Sequence, residues 1–404
     1  MAEHAASPFM GLPTLMQMAF SEIDLTPMSQ ELLERSQVDP DDGNALMDLS
    51  IIMHLRGDSD LALALQAEAL RVQRTFRLPA ATDSARLRLL AIMTSGELMA
   101  NTPLEFLVQN SDVALELLYV EHELPPAESA PPHDLLFVAV GESDRTRSLL
   151  RNLDAAVASW PRPVLNQPGR IAQLSRDGVC DLLSAQPGID LPVSFRVDRA
   201  TLENVGRDET TIEAIMDGEH FPIIIRPVDS HAGRGLTKLE GPESLGGYLK
   251  TLRDREFFVA RFVNYQGKDG FFRKFRIVFI EGHPFVAHMA ISEHWMIHYL
   301  NAGMGESEAK REEEARFMAT FDEDFAVRHA SALTALVDRV GLDYFGIDCA
   351  ETQQGELLIF EVDSALVVHA MDPVEIYPYK IPNMQRIFGA FREMLLRRAK
   401  PDSP

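Results

Sequence analysis

Three acidic residues near the carboxyl end of the chain have the spacing of a cation site. Asp348 lies in the apolar run 346–350, and Glu361 and Asp363 lie in the run 357–363, with a polar turn between the runs. This pattern predicts two β-strands joined by a turn. Because strand side chains alternate between faces, Glu361 and Asp363 share one face, and pairing can bring Asp348 to it. Such carboxylates suit Mg²⁺ carried by a nucleotide, whereas the alternative is an ordinary solvated edge hairpin.

A glycine-containing loop offers a place for an anion. The apolar run 221–227 leads into the loop 229–235, which returns into 236–238 and so forms the tip of a hairpin. Two glycines in the loop let backbone N–H groups approach an anion, and Arg226 and Arg234 supply positive charge. Surface hairpins also use glycine, so the loop by itself leaves both interpretations open.

Composition limits the classes of function. A chain of 404 residues is expected to contain two or three structural units. The net charge of −23, with 38 basic against 61 acidic residues, argues against a nucleic-acid partner. Cys180 and Cys349 lie in apolar contexts and are assigned to packing in a reducing compartment. No apolar run approaches the ~20 residues of a membrane span, so we expect a cytoplasmic protein without a membrane partner.

The amino-terminal region is predicted to be helical after an initial arm. Residues 1 to 25 are weakly patterned, with Pro8 and Pro13 expected to interrupt any helix, and predict a mobile or loosely packed arm. Residues 40–79 show helical periodicity with a break at Gly57, which predicts an antiparallel helical hairpin similar to one degenerate tetratricopeptide repeat. One such hairpin cannot bury its own apolar face, so it must pack on the next domain, as a buttress, or on another subunit, which is compatible with a homodimer.

Alternating strands and helices follow. Strand candidates occur at 89–93, 117–120, 135–140 and 163–166, with a helix at 145–159 before the last of them. This order predicts a small doubly wound parallel sheet. Ligands of such sheets bind beyond the carboxyl ends of the strands, which draws attention to the loops at 95–96 and 141–143, although each is equally well explained as a turn.

Six motifs in a fixed order resemble those of the ATP-grasp superfamily of carboxylate-amine ligases. The resemblance covers residues 85 to 395 and is strongest to the branch of glutathione synthetase and the ribosomal-protein glutamate ligase. Its elements are Asn166 with Arg176 and the turn 188–192, the strand and glycine loop 221–235, the strands 257–263 and 275–282, Asn301 with Gly303, and the acids Asp348, Glu361 and Asp363.

The resemblance implies an α/β chain with the ATP-grasp fold. In that fold a small doubly wound sheet precedes two α+β subdomains that clasp ATP, and here a short α-helical region would come first. The implied domains are the arm and helical hairpin at 1–80, the α/β domain at 81–170, the small ATP-grasp subdomain at 171–260, and the large subdomain with the metal site at 261–404.

The resemblance also implies roles for individual residues with ATP and Mg²⁺ as cofactors. Metal ligation falls to Asp348, Glu361 and Asp363. Catalytic or acceptor-site roles fall to Arg276, which would steady an acyl phosphate, and to Asn301, His298 and His294. Nucleotide binding falls to Arg176, Arg226, Ser230, His231, Gly233, Arg234, Gly235, Ala260, Arg261, Phe262 and Val263.

The implied reaction joins a carboxylate to an amine, on amino acids or a small peptide, through an acyl phosphate. The aromatic and histidine-rich segment 292–301 would line the acceptor site, or alternatively cover a sheet edge. The chain departs from the family where lysines usually stand, at Arg176 and Arg226, and where asparagine usually stands, at Asp363. These departures leave open a subfamily with its own substrate or a degenerate, non-catalytic relative. The competing functions are a small-molecule kinase on the same scaffold and a non-catalytic nucleotide-binding protein that recruits a partner through its helical hairpin.

Overall fold

The computed structural model describes residues 8–230 and 233–400, without the side chain of Leu300. The chain divides into two compact units. The first comprises Met1–Ala172, Leu342–Phe345 and Ser364–Pro404, and the second comprises Gln173–Gly341 and Gly346–Asp363. Within the described ranges, no helix combines the length and apolar composition needed to cross a membrane.

Four helices open the first unit: α1 (Gly11–Phe20), α2 (Thr26–Val38), α3 (Gly43–Leu55) and α4 (Ser59–Val72). Asp42 and Asp58 are the N-caps of α3 and α4, and their carboxylates accept hydrogen bonds from the N–H groups of Ala45 and Leu61 at 2.9 and 3.3 Å. Gly57 turns the chain between the two helices with a φ of 81°. The predicted helical hairpin is therefore confirmed up to Val72, while its likeness to a tetratricopeptide repeat stays a prediction.

Helix α1 contradicts the prediction of a loosely packed arm for the residues that it contains. Leu12 and Leu15 are buried, and Pro13 lies in the first turn of the helix. A proline in the first turn removes no intrahelical hydrogen bond, so it does not break the helix as it would in the interior. Two backbone N–H groups at the start of α1, those of Met10 and Gly11, donate to the buried carboxylate of Asp48 at 3.0 Å each.

A five-stranded sheet follows the helices. Its strands are β1 (Thr75–Leu78), β2 (Leu87–Met93), β3 (Val113–Tyr119), β4 (Leu135–Val138) and β5 (Val164–Leu165), in the order β1-β3-β2-β4-β5. Pairing is parallel except between β1 and β3. The helices along this stretch are α5 (Leu104–Leu107), α6 (Arg147–Val157) and α7 (Pro168–Ile171). The predicted parallel sheet is confirmed, whereas β1 lies at the end of the range that the sequence assigned to the helical hairpin.

The first unit buries an acidic side chain in α5. Glu105 is 6% exposed, and its Oε2 atom has no hydrogen-bond partner within the described part of the chain. Burial raises the pKa of Glu105 to about 7, because an ionised carboxylate loses its hydration there. The side chain therefore changes between its neutral and ionised forms near neutral pH.

The second unit begins with the elements around a four-stranded antiparallel sheet. They are α8 (Arg176–Leu183), β6 (Ile189–Asp190), β7 (Phe195–Asp198), α9 (Arg199–Gly206), α10 (Ile212–Ile215), β8 (Ile223–Pro227), β9 (Thr237–Leu239), α11 (Leu245–Lys250) and β10 (Glu256–Arg261). The sheet has the order β7-β10-β8-β9. Its apolar face packs on helix residues such as Leu202, Val205 and Leu245.

A five-stranded sheet completes the second unit. Its remaining elements are β11 (Phe272–Ile280), β12 (His283–Ser292), α12 (Glu308–Thr320), α13 (Phe325–Arg328), α14 (Ala330–Val340), β13 (Tyr344–Glu351) and β14 (Leu357–Asp363). The last helix, α15 (Lys380–Arg398), and the first two residues of β13 belong to the first unit. The strand order is β12-β11-β13-β14-β6. Strands β13 and β14 form the antiparallel hairpin that the sequence predicts. The expectation of an α/β chain with several sheets is thus confirmed.

Within the first unit, Asn166 forms hydrogen bonds with the backbone at the start of β13. Its amide donates from Nδ2 to the carbonyl of Tyr344 at 2.7 Å, and its Oδ1 accepts from the N–H of the same residue at 2.9 Å. The backbone N–H of Asn166 donates to Asp343 at 2.9 Å. Helix α15, which belongs to this unit, packs Phe391 against the Tyr344 ring. A buried amide thus replaces a strand partner for the backbone of Tyr344.

Candidate functional site

The three predicted acids lie on the hairpin of β13 and β14. Asp348 is directly opposite Glu361 in the antiparallel register, and Asp363 is opposite Gly346. Residues directly opposite each other project to the same face, so Asp348 and Glu361 share it, together with Asp363 two positions further along β14. The register shifts immediately after Asp348, which marks a β-bulge. Bulges turn side chains and occur often beside active sites.

Asp348 is paired with two cations of the neighbouring strand β11. Arg276 Nε lies 2.8 Å from Asp348 Oδ1 and Arg276 Nη2 lies 3.0 Å from Oδ2, while Lys274 Nζ lies 2.7 Å from Oδ2. Burial by itself would raise the pKa of Asp348, but Arg276 and Lys274 together hold this pKa well below its ordinary value. The carboxylate is therefore ionised at any physiological pH.

Glu361 has its own arginine partners. Arg176 Nη2 lies 2.6 Å from Glu361 Oε1, and Arg176 Nη1 donates to the carbonyl of Phe360 at 2.9 Å. Burial acts to raise the pKa of Glu361, and Arg176 and Arg226 outweigh it, so the pKa is lowered. Arg176 is the first residue of α8, whose N-cap Ser175 accepts from a backbone N–H at 3.2 Å.

Arg226 connects the acids to the glycine loop. It lies at the end of β8, and its Nε donates to Ser230 Oγ at 3.0 Å. Ser230 in turn donates to the carbonyl of Pro227 at 2.7 Å, which closes the turn after the strand. Burial, followed by the repulsion from Arg176, lowers the pKa of Arg226 to about 9. Arg226 therefore stays charged at neutral pH but is held in an environment that favours an anion.

The loop that follows has the backbone conformation expected of its glycines. Gly233 and Gly235 have φ values of 72° and 68°, and the Tyr248 hydroxyl donates to the Gly235 carbonyl at 2.8 Å. A Cβ at Gly233 would overlap the imidazole of His298, so only glycine allows this approach. Arg234 points elsewhere, to Asp254 at 3.2 Å. His231, also predicted to bind the nucleotide, lies outside the described residues.

The segment 292–301 holds His298, one of the predicted catalytic residues, near this cluster. The Oδ1 atom of Asn301 accepts from the backbone N–H of His298 at 2.9 Å and fixes the turn that presents the imidazole. Burial, and then the neighbouring Lys274, lower the pKa of His298 and favour its neutral form. His294 is exposed, and its backbone N–H donates to Ser292 Oγ at 3.1 Å. The structure therefore brings His298 to the cluster, leaves Asn301 as an exposed residue that supports the turn, and leaves the His294 side chain facing solvent.

The residues of 260–263 that were predicted to bind the nucleotide lie where β10 leaves its sheet. β7 pairs with Glu256–Val259, so the ladder on that side ends before Ala260, while β8 continues to pair on the other side. Arg261 forms an ion pair with Asp190. Phe262 lies beneath the ammonium group of Lys238, which is 4.2 Å from the ring centroid, and Val263 follows it half-buried. The Phe262 ring thus lies directly after the point where β7 stops pairing, and nucleotide binding by this segment stays a prediction.

The three acids have the oxygen ligands that suit a hard divalent cation, but two of these acids already form ion pairs. Asp348, Glu361 and Asp363 offer carboxylate oxygens from one strand face, which is the chemistry that Mg²⁺ prefers. In residues 8–230 and 233–400, no three histidine, cysteine or acidic side chains converge as a metal centre. Asp348 and Glu361 are instead held by cations at 2.6 to 3.0 Å. Ligation by these acids therefore requires their ion pairs to open, and it stays a prediction.

The sequence prediction missed Lys274. In the sequence Arg273-Lys274-Phe275-Arg276, the alternation of a strand already puts Lys274 and Arg276 on one face. That alternation could have identified Lys274, because a second cation two positions before a predicted anion-binding arginine faces the same ligand.

Comparison with solved structures finds similarity to ligases. A D-Ala:D-Ser ligase, VanG, from Enterococcus faecalis is 16% identical over 78% of this chain and 99% of that chain, with a TM-score of 0.48. A D-alanine–D-alanine ligase from Bacillus anthracis, complexed with ATP, is 12% identical over 79% of this chain and 100% of that chain, with a TM-score of 0.47. A RimK domain ATP-grasp protein from Sphaerobacter thermophilus is 14% identical over 76% and 99%, with a TM-score of 0.43.

No protein-family model matches the chain, and no curated protein sequence does so either.

Proposed function

We propose that the chain is an ATP-dependent ligase of the ATP-grasp type that forms an amide or peptide bond through an acyl phosphate. The observation that carries this proposal is the pairing of the acids Asp348 and Glu361 with the cations Arg176, Lys274 and Arg276 on adjoining elements. Phosphoryl transfer needs positive charge around the phosphate oxygens and carboxylates for a metal ion, and both are present on one face of the sheet.

Different side chains of the site would have different roles in this reaction. Arg176, Arg226 and the glycine loop would bind the phosphates, and Arg276 would bind the carboxylate substrate as it accepts the γ-phosphoryl group. Asp348, Glu361 and Asp363 would hold Mg²⁺, which supplies charge neutralisation between the phosphates. The acyl phosphate carbon then accepts the nitrogen of an amine, and inorganic phosphate leaves. Neutral His298 is suited to accept the proton that the amine loses.

Product analysis with a chemical trap tests the proposal. The protein is incubated with ATP, Mg²⁺ and mixed amino acids, with and without hydroxylamine, which replaces the amine and converts an acyl phosphate to a hydroxamate. A ligase releases ADP and inorganic phosphate together and yields the hydroxamate. ADP with a stable phosphorylated product and no hydroxamate would identify a kinase. Absence of ATP binding in calorimetry would contradict both enzymatic functions and nucleotide binding itself.

A matched pair of variants tests the carboxylate assignment. Glu361→Gln removes the charge that faces Arg176 and is expected to abolish turnover with the fold retained, as circular dichroism would show. Glu356→Gln makes the same change at an exposed residue in the turn of the same hairpin and is expected to leave turnover unchanged. Equal activity of the two variants would contradict a role for Glu361.

A further inference from the structure

Lys274 is an additional cation at a carboxylate that already has a complete partner. Arg276 alone forms two hydrogen bonds to the two oxygens of Asp348, at 2.8 and 3.0 Å. A bidentate arginine neutralises one carboxylate, and yet Lys274 Nζ also lies 2.7 Å from Oδ2. The side chains of Lys274 and Arg276 are 18% and 19% exposed, so both are largely desolvated. The group of three therefore carries one excess positive charge in a mostly buried place. Glu361 also attracts Lys274, but it faces the two further cations Arg176 and Arg226 and so does not remove this excess.

Excess buried charge is costly, which indicates a role in binding. A partly desolvated ammonium group loses hydration that one shared carboxylate does not fully replace. The other contact of Lys274 is weak, with Nζ 3.5 Å from the carbonyl of Ile297. An ammonium group has three donors, so it retains capacity for a further acceptor. Ile297 belongs to the segment beside His298, and that acceptor would thus lie between β11 and the proposed acceptor segment.

We propose that Lys274 is a further substrate-binding residue, which joins Arg276 in holding the phosphoryl group after its transfer from ATP. This inference rests on the proposed function. The carboxylate of Asp348 already shows how one anion is received by the fork of Arg276 and the ammonium group of Lys274 together. When Asp348 serves as a metal ligand, it no longer neutralises the two cations. Lys274 and Arg276 are then left with a net charge of two, which matches a phosphoryl group and its oxygens.

Binding of inorganic phosphate to the protein saturated with ADP and Mg²⁺ tests the role of Lys274. Phosphate and ADP together represent the site after transfer, and isothermal titration calorimetry measures each affinity separately. Wild-type protein is expected to bind phosphate, and Lys274→Met is expected to weaken phosphate binding by about 10- to 100-fold, the range for a lost charge-assisted hydrogen bond. ADP affinity is expected to change by less than about 3-fold, since Lys274 lies on the transferred group and not on the nucleotide.

Two further variants separate binding from structure. Lys268→Met removes a lysine that is exposed in the loop before β11 and is expected to leave both affinities unchanged. Lys274→Arg keeps the charge and is expected to restore most of the phosphate affinity. Equal loss of ADP and phosphate affinity in Lys274→Met would show a purely structural role and overturn the inference. Unchanged phosphate affinity in Lys274→Met, or no phosphate binding to the wild-type protein, would overturn the inference. If ADP still bound in that case, the proposed function would stand. Failure of ADP to bind would overturn the proposed function itself.

Discussion

Replacing Glu105 by glutamine is expected to remove a large pH dependence of stability. Burial raises the pKa of this carboxyl from 4.5 to about 7, so the folded state resists its ionisation. Below pH 4.5 the group is neutral in both states and costs nothing. As the pH rises from 4.5 to about 7, the unfolded chain ionises first, and the free energy of unfolding falls by about 1.4 kcal/mol per pH unit. The total loss above pH 7 is about 3 kcal/mol.

Glutamine stays neutral at every pH and keeps nearly the same shape. Glu105→Gln is therefore expected to stabilise the protein by about 1 kcal/mol at pH 5.5 and by about 3 kcal/mol at pH 8.5. For a unit of this size, each kcal/mol corresponds to about 2–4 °C in Tm. Differential scanning calorimetry at the two pH values measures the difference, with both values kept away from the isoelectric point near 4.9.

An exposed glutamate provides the control for this prediction. Glu123→Gln alters a solvated carboxyl in the same unit and is expected to leave the pH dependence as in wild type. If Glu105→Gln and wild type lost the same amount of stability between pH 5.5 and 8.5, the reasoning from burial would be refuted. Greater stabilisation by glutamine at pH 5.5 than at pH 8.5 would contradict the predicted sign of the pH dependence.

The remaining predictions concern the hydrogen bonds of Asn166 to the backbone of Tyr344 and the conformation of Gly233. Asn166→Ala leaves a buried backbone N–H and carbonyl at the start of β13 unpaired, and a loss of about 2–4 kcal/mol is expected in urea unfolding. Gly233→Ala forces a Cβ into His298 at a positive φ and is expected to weaken ATP binding at least about 10-fold in calorimetry, with Tm nearly unchanged. Gly247→Ala, in α11 with open space around it, is expected to be neutral, and adding His298→Ala to Gly233→Ala is expected to recover part of the affinity.

Local patterns were sufficient to predict most of the elements near the site. Alternating apolar residues predicted the hairpin of β13 and β14, and the polar turn between them set its extent. The same alternation put Glu361 and Asp363 on one face of β14, because it depends only on their spacing of two residues. The strands β2, β3 and β4 were predicted in the same way, since each is a short buried run between turn residues. Pro13 led to a wrong prediction for α1, because a proline breaks a helix only in the interior and not in the first turn.

The sequence by itself determined which residues carry charge and on which side of a strand each one lies, because these properties depend on a few neighbouring residues. Only the tertiary structure decided that β11 lies beside β13, which brings Lys274 and Arg276 to Asp348 from about 70 positions away in the chain. It also decided that His298 meets the glycine loop while His294 faces solvent. Strand order, register shifts and burial arise from pairing between distant segments, and no local pattern specifies them.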